Sequence, residues 1–203
     1  MSHYLAPRLR ILRRLGVPLS GLTRKSIERR PYPPGQHGPT RRRRPSEYAL
    51  QLAEKQKVRF YYGLSEGQLH TAVRRAASRP GPTGGNLLQA LESRLDNVVF
   101  RLGVAPTIVA ARQLVRHGHV EVNGRRVDMP SFALRRGMTV AVRPKSRAHQ
   151  LVAEGVLRGP ELPLPSYLER APDGFSGRLT GTPARDDVPV PLDETLVVEF
   201  YAR

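Results

Sequence analysis

The chain has no cysteine. A disulfide scaffold, a thiolate zinc site and a cysteine nucleophile are therefore excluded. It has no run of 18 apolar residues, which excludes a membrane-spanning helix. Aromatic residues make up only 6% of the chain. The six histidines, His3, His37, His70, His117, His119 and His149, show no metal-ligand spacing, so no metal and no cofactor is expected. Acid is scarce too, with 17 Asp plus Glu against 34 Lys plus Arg, a formal net charge of +17 over 203 residues.

What fills the chain instead is arginine, 30 residues against 4 lysines. Its planar fork suits bidentate contact with phosphate and stacking on bases. So large a positive field destabilises a compact chain unless a polyanion neutralises it. Nucleic acid is thus the expected partner. An anionic membrane fits less well, because neither end carries an amphipathic helix with a bulky apolar face. The charge is uneven. Residues 1–50 carry 12 basic and 2 acidic residues, residues 51–160 carry 18 and 7, and residues 161–203 carry 4 and 8. The first 27 residues, Arg-rich and free of acid, also fit a transit peptide. An apolar fraction of 39% allows small cores, and 19 Pro with 18 Gly imply long irregular segments beside them.

Residues 1–45 read as an extended basic arm with little core and one or two helical turns near Leu9–Leu15. It is expected to order only against a partner, the alternative being a solubilising tail. Residues 46–102 read as three helices. Ser46 caps the first, whose wet face carries Lys55, Lys57 and Arg59 while Tyr48, Leu52 and Phe60 pack inward. Ser65 and Gln68 form a capping box for the second. The third carries the strongest apolar stripe: Leu88, Leu91, Leu95, Val98 and Leu102. Thr107 opens a further short helix that ends at Gly118, with Arg112 and Arg116 sharing its outer face. The period then changes to two, and Asn123-Gly124 marks a hairpin. Residues 159–191, rich in proline, are expected to wander over a surface. Residues 196–201 read as a terminal strand docked on the helical part.

The helix opening at Thr107 turns backbone N–H groups toward any phosphate, and the hairpin brings Arg125 and Arg126 alongside. Such a surface follows folded RNA by shape rather than by base edges. Several blocks here closely resemble the small-subunit ribosomal protein S-four family of bacteria and plastids. They are the runs 92–103, 111–119 and 122–128, together with Arg30-Pro-Tyr-Pro-Pro-Gly-Gln-His-Gly38, Arg44-Pro-Ser-Glu-Tyr48, Glu54-Lys-Gln-Lys-Val58 and Val198-Glu-Phe-Tyr201. The blocks keep their order across essentially the whole chain.

The resemblance implies an α+β fold: a helical domain with an inserted helix–antiparallel-sheet RNA-binding module and the basic N-terminal arm. On this sequence the arm is 1–45, the helical domain is 46–93 completed by 159–203 and its strand, and the module is 94–155. It implies a non-enzymatic constituent of the small subunit that binds the 5′ domain of its rRNA and nucleates assembly of the subunit body. It also implies contact with the fifth small-subunit protein, a joint effect on decoding accuracy with that protein and the twelfth, and a place near the mRNA entry path. The location would be the cytoplasm, or the stroma if plastid-encoded. Candidate rRNA contacts are Arg8, Arg13, Arg30, Tyr32, Gln36, His37, Arg41, Arg42, Arg43 and Arg44 of the arm; Tyr48, Lys55, Lys57 and Arg59 of the first helix; and Thr107, Arg112, Arg116, His117, Asn123, Arg125 and Arg126 of the module. The sign reversal near the C-terminus suggests that Asp186, Asp187, Asp193 and Glu194 face a basic protein partner. Some relatives carry a zinc-binding Cys pair in the arm, where this chain reads Leu9-Arg-Ile-Leu12, so the arm must be held without metal.

Two rival readings remain at this level. Arg94-Leu95-Asp96 resembles the catalytic triplet of pseudouridine synthases, although Asp96 sits in the module's own apolar helix and pairing with a neighbouring Arg explains it. The other rival is a free RNA-binding protein of the stress or quality-control type that uses the module alone. A DNA-binding regulator is disfavoured, since no helix-turn-helix spacing stands out.

Overall fold

The structure is a computed structural model that describes residues 7–40 and 44–202. Arg41, Arg42 and Arg43 lie outside the described residues. The helices are α1 (Arg8–Leu15), α2 (Glu47–Tyr61), α3 (Glu66–Ala77), α4 (Thr83–Glu92), α5 (Leu95–Arg101), α6 (Ile108–Arg116), α7 (Gln150–Arg158) and α8 (Glu194–Ala202). The strands are β1 (Val120–Val122), β2 (Arg125–Arg126), β3 (Thr139–Val142), β4 (Leu168–Arg170) and β5 (Ser176–Leu179). This is an α+β chain, as the sequence suggested. Its packing divides into two compact units, Met1–Gly84 with Val190–Arg203, and Gly85–Pro189.

In the first unit, α2 starts where Ser46 accepts a hydrogen bond from Ala49 N–H, and α3 starts with the capping box of Ser65 and Gln68. Two expectations fail here. The arm is not bare: Ile11, Leu12, Leu19 and Leu22 are buried, and α1 lies against α2. Four apolar side chains give it a small core. The C-terminal run is not a strand either, but helix α8. Val197, Val198, Phe200 and Tyr201 favour a strand locally, yet tertiary packing overrides that preference. Asp193 Oδ1 accepts the Thr195 N–H at 2.9 Å and caps the helix. Val197 is then fully buried, and Gln51 Nε2 on α2 donates to Glu199 on α8 at 3.0 Å.

In the second unit the long stripe of leucines is two helices, α4 and α5, rather than one. The 129–134 segment intrudes at the break. Leu95 N–H donates to Phe132 O at 2.9 Å, Asp96 N–H to Pro130 O at 3.1 Å, and Leu134 N–H to Ser93 O at 2.8 Å. The stripe persists across the break because Leu88 and Leu91 of α4 are buried and α5 is buried along its whole length. The sheet has the order β2-β1-β3-β5-β4 and is antiparallel throughout. Asn123 (φ 48°) and Gly124 (φ 76°) make the β1–β2 turn, both left-handed as a type I′ turn requires. The proline-rich segment does not wander: it supplies β4 and β5. Residues 159–189 therefore pack with the module and not with the helical unit, which the chain rejoins only from Val190. Gly177 allows this, because a Cβ there would strike the side chain of Leu102 just beyond α5. A buried polar knot secures the addition. Tyr167 donates its hydroxyl to Glu92 Oε2 at 2.6 Å, and Asn97 Nδ2 donates to the same oxygen at 2.7 Å.

Candidate nucleic-acid interface

In the first unit the expected contacts separate into exposed groups and internal braces. Arg30, Tyr32, Gln36, His37, Arg44 and Tyr48 are exposed. Arg13 instead donates from Nε to the carbonyls of Arg30 and Tyr32, at 3.1 and 3.0 Å, and its guanidinium lies over the Tyr32 ring. Arg8 donates to Leu22 O at 3.3 Å. Both arginines hold the arm's own backbone.

Helix α2 presents the reverse of the expected face. Lys55 is buried, with its ammonium 2.9 Å from both oxygens of Glu66 and 4.5 Å from the centre of the Phe200 ring. Lys57 pairs with Glu54 at 2.6 Å, and Arg59 lies 3.9 Å from Glu66 and over Phe60. Tyr48, expected to pack, is about half exposed. The reversal follows from α8, whose docking covers the Gln51–Lys55–Val58 side of α2. Burial raises the Glu66 carboxyl, but hydrogen bonds from Tyr201 and Lys55 outweigh it and hold the group below its usual range. The sequence reading missed an exposed basic hollow on α3 of about 340 Å³, lined by Thr71, Arg74, Arg75 and Ser78. Its only trace in the sequence is the Arg74-Arg75 pair at the helix end.

In the second unit Asp96 is 1% exposed and sits between two guanidiniums. Arg94 reaches Oδ1 and Oδ2 at 3.0 and 2.8 Å, and Arg112 reaches Oδ2 from Nε and the terminal nitrogen at 3.0 and 2.7 Å. Asp96 is thus a structural anion, as the pairing explanation expects. Arg112 is correspondingly a partner of that anion and not an outward arm. Its side chain is only 17% exposed, whereas Arg116, one turn on, is exposed. Thr107 is buried and caps α6 by accepting from Ala110 N–H at 3.2 Å. Asn123 uses its side-chain oxygen to accept from Thr139 N–H at 2.9 Å. Thr107 and Asn123 therefore shape the surface.

Arg126, Arg143 and two histidines surround Gly118. This residue has φ +75°, and a Cβ here would meet the guanidinium of Arg126. Arg143 donates to its carbonyl at 3.3 Å. His117 closes α6 on one side, and His119 on the other has Nδ1 3.0 Å from Ser146 Oγ. Arg125 and Arg126 are exposed on β2, and Arg135 and Arg136 are exposed beside the turn at Gly137. Arg135, Arg136 and Arg143 were not foreseen as contacts, whereas the His117-x-His119 pair at the helix end reads in the sequence as a cap or an RNA contact. Doublets at turns are the only local signal for the first two, and the register of β3 decides Arg143. Burial first, then His149, His117 and Arg143, hold the His119 imidazole below its usual value.

The four C-terminal acids have different local settings. Asp187 accepts from Ser166 N–H at 2.8 Å, Ser166 hydroxyl at 3.0 Å and Ala184 N–H at 3.0 Å. Asp193 caps α8, Asp186 is exposed and Glu194 is partly buried. Asp186 and Asp187 belong to the second unit, Asp193 and Glu194 to the first. Among the described residues no group of three or more His, Asp or Glu is placed to hold a metal ion, and no helix is long and apolar enough to cross a membrane.

A helix–sheet unit carrying exposed guanidinium and imidazole groups, in a chain that also has a basic helical unit, has the charge and shape that suit a nucleic-acid-binding class of protein. Family comparison agrees: the model described as "Ribosomal protein S4/S9 N-terminal domain" matches residues 3–92, and the model described as "S4 domain" matches residues 93–140. The small ribosomal subunit protein uS4 of Thermosynechococcus vestitus is 56% identical over 204 residues, covering 100% of this chain and 99% of that protein. Its counterparts in Nostoc punctiforme and Geobacillus stearothermophilus are 55% and 48% identical, again over 100% of this chain, and over 99% and 100% of their own lengths. The chain belongs to the small ribosomal subunit protein uS4 family.

Proposed function

We propose that this chain is a non-catalytic structural constituent of the small ribosomal subunit that binds the subunit's rRNA directly. Within that role it is a primary binder of the 5′ domain, helps nucleate the subunit body and contributes to accurate decoding. Its protein neighbours are the fifth small-subunit protein and, functionally, the twelfth, with mRNA near its entry path. It acts in the ribosome, in the cytoplasm or a plastid stroma. Its expected RNA contacts are the exposed set: Arg30, Tyr32, Gln36, His37, Arg44 and Tyr48 in the first unit, and Arg116, His117, Arg125 and Arg126 in the second. Exposed Asp186 is the remaining candidate for a basic protein neighbour.

The single observation that carries the reading is full-length kinship with uS4 proteins in a chain of net charge +17. The mechanism is counterion release and positioning. Lys and Arg displace condensed cations from rRNA phosphates, while the braced arm and module fix the shape presented. With about 6–10 phosphate contacts, affinity should fall by roughly 10³–10⁵ between about 50 and 200 mM salt. The test is a salt titration of binding to a 5′-domain transcript in the presence of excess tRNA. Tight, steeply salt-dependent binding that survives the competitor is expected. Equal affinity for both RNAs would reduce the chain to a general RNA-binding protein.

A further inference from the structure

Three imidazoles from three separate elements meet beside the basic rim. His117 ends α6, His119 leads into β1 and His149 precedes α7. The His117 and His119 ring centres are 6.2 Å apart, and those of His119 and His149 are 5.1 Å apart. His117 and His149 are exposed, and His119 is half-buried. Around them stand Arg143, bonded to Gly118 O; Arg126, packed over the same glycine; and the Ser146 hydroxyl. The charged groups that act on His119 are His149, His117 and Arg143, and Glu121 stands opposite Arg126 in the β1–β2 ladder. His119 resists protonation when bare, because its imidazolium would be part-buried and would face other cations. A polyanion reverses that balance, since a phosphate among these groups favours the charged imidazoles and can accept hydrogen bonds from their N–H groups.

We propose that His117, His119 and His149, together with Arg126 and Arg143, form a proton-coupled seat for an RNA backbone phosphate, so that binding RNA draws protons onto the cluster. This rests on the rRNA-binding reading above. The free-state imidazole of His119 is held below its ordinary value by burial and by its cationic neighbours, and the arriving phosphate lifts it. Protons are then taken up on binding wherever pH lies between the free and bound values. The sign is fixed: affinity rises as pH falls. Each proton taken up contributes at most about one decade of affinity per pH unit.

The test measures binding of the full chain to the 5′-domain transcript at pH 8 and pH 6 at constant ionic strength. Each protein is compared with itself. The wild type is expected to bind about five-fold or more tighter at pH 6. His119→Gln and His149→Gln are each expected to flatten the ratio, and the double variant to bring it close to one. His149→Arg, which fixes a charge at that position, is expected to raise affinity at pH 8 and also to flatten the ratio. Thermal melts at both pH values check folding. Should His119→Gln fail to fold, the exposed His149→Gln and His149→Arg carry the test. A wild-type ratio near one with tight binding at both pH values overturns the proton coupling alone, as does a ratio that persists in the folded histidine variants. Absence of binding at either pH overturns the rRNA reading and this one together.

Discussion

At the scale of single residues, the main distinction is between cations that face solvent and cations that hold the protein together. Arg112 and Arg116 lie one helical turn apart and look equivalent in the sequence. Arg112 is locked to Asp96, which also binds Arg94, while Arg116 is exposed. Removing Arg112 leaves the buried Asp96 with Arg94 as its remaining guanidinium partner and takes away two charge-assisted hydrogen bonds. Arg112→Ala should therefore cost about 2 kcal/mol in urea denaturation, whereas Arg116→Ala should leave stability within about 0.5 kcal/mol and weaken RNA binding. Equal stability losses for the two variants would contradict the assignment. Asp187 makes a second prediction. Burial would raise its carboxyl, but the N–H groups of Ala184 and Ser166 and the Ser166 hydroxyl hold it below its ordinary 3.8. A carboxyl with a depressed folded-state pKa stabilises the fold above its unfolded value and loses that contribution as pH falls through the folded one. The stability difference between wild type and Asp187→Asn should accordingly be largest near neutrality and shrink below about pH 4.

At the scale of elements, α8 shows how packing overrides local preference. Its Val-Val and Phe-Tyr pairs read as a strand, but the face of α2 that carries Gln51, Lys55 and Val58 leaves room for a helix. Asp193 then starts that helix, and Tyr201 hydroxyl secures it to Glu66 at 2.7 Å. Val197→Asp places a charge at a fully buried position of α8 and should cost about 3 kcal/mol or more, with loss of helical circular dichroism. Leu114→Asp is the parallel test in the module, since Leu114 is buried on α6. It should unfold the second unit and abolish RNA binding, whereas Arg116→Ala leaves the unit folded. A Leu114→Asp protein with native-like melting would remove α6 from the core.

For the whole molecule, net charge sets two opposite responses to salt. Self-repulsion within a chain of charge +17 is screened as ionic strength rises, so the free protein should melt at a higher temperature in about 300 mM salt than in about 30 mM. RNA affinity should fall across the same range. Melting that drops with salt would mean that internal ion pairs, such as those of Asp96 and Glu66, outweigh the net repulsion. Bound RNA should stabilise the protein most at low salt, where both effects act together.

The sequence by itself determined the class of partner, through arginine excess and scarce acid, and it excluded thiolate chemistry outright. It also determined the features governed by neighbours in the chain: the Ser65–Gln68 capping box, the Thr107 cap, the Asn123-Gly124 turn and the apolar stripe of α4 and α5. These depend on backbone geometry within a few residues, which local chemistry fixes. Only the tertiary structure decided which cations face outward. Lys55, Arg8, Arg13 and Arg112 have the composition of RNA contacts, but partners 11, 14, 17 and 16 residues away draw them inward. Only the fold turned the proline-rich segment into two strands, made the last residues a helix and brought His149 to the His117-Gly118-His119 run. Each of these outcomes follows from burial and pairing between segments far apart in the chain, which no local period records.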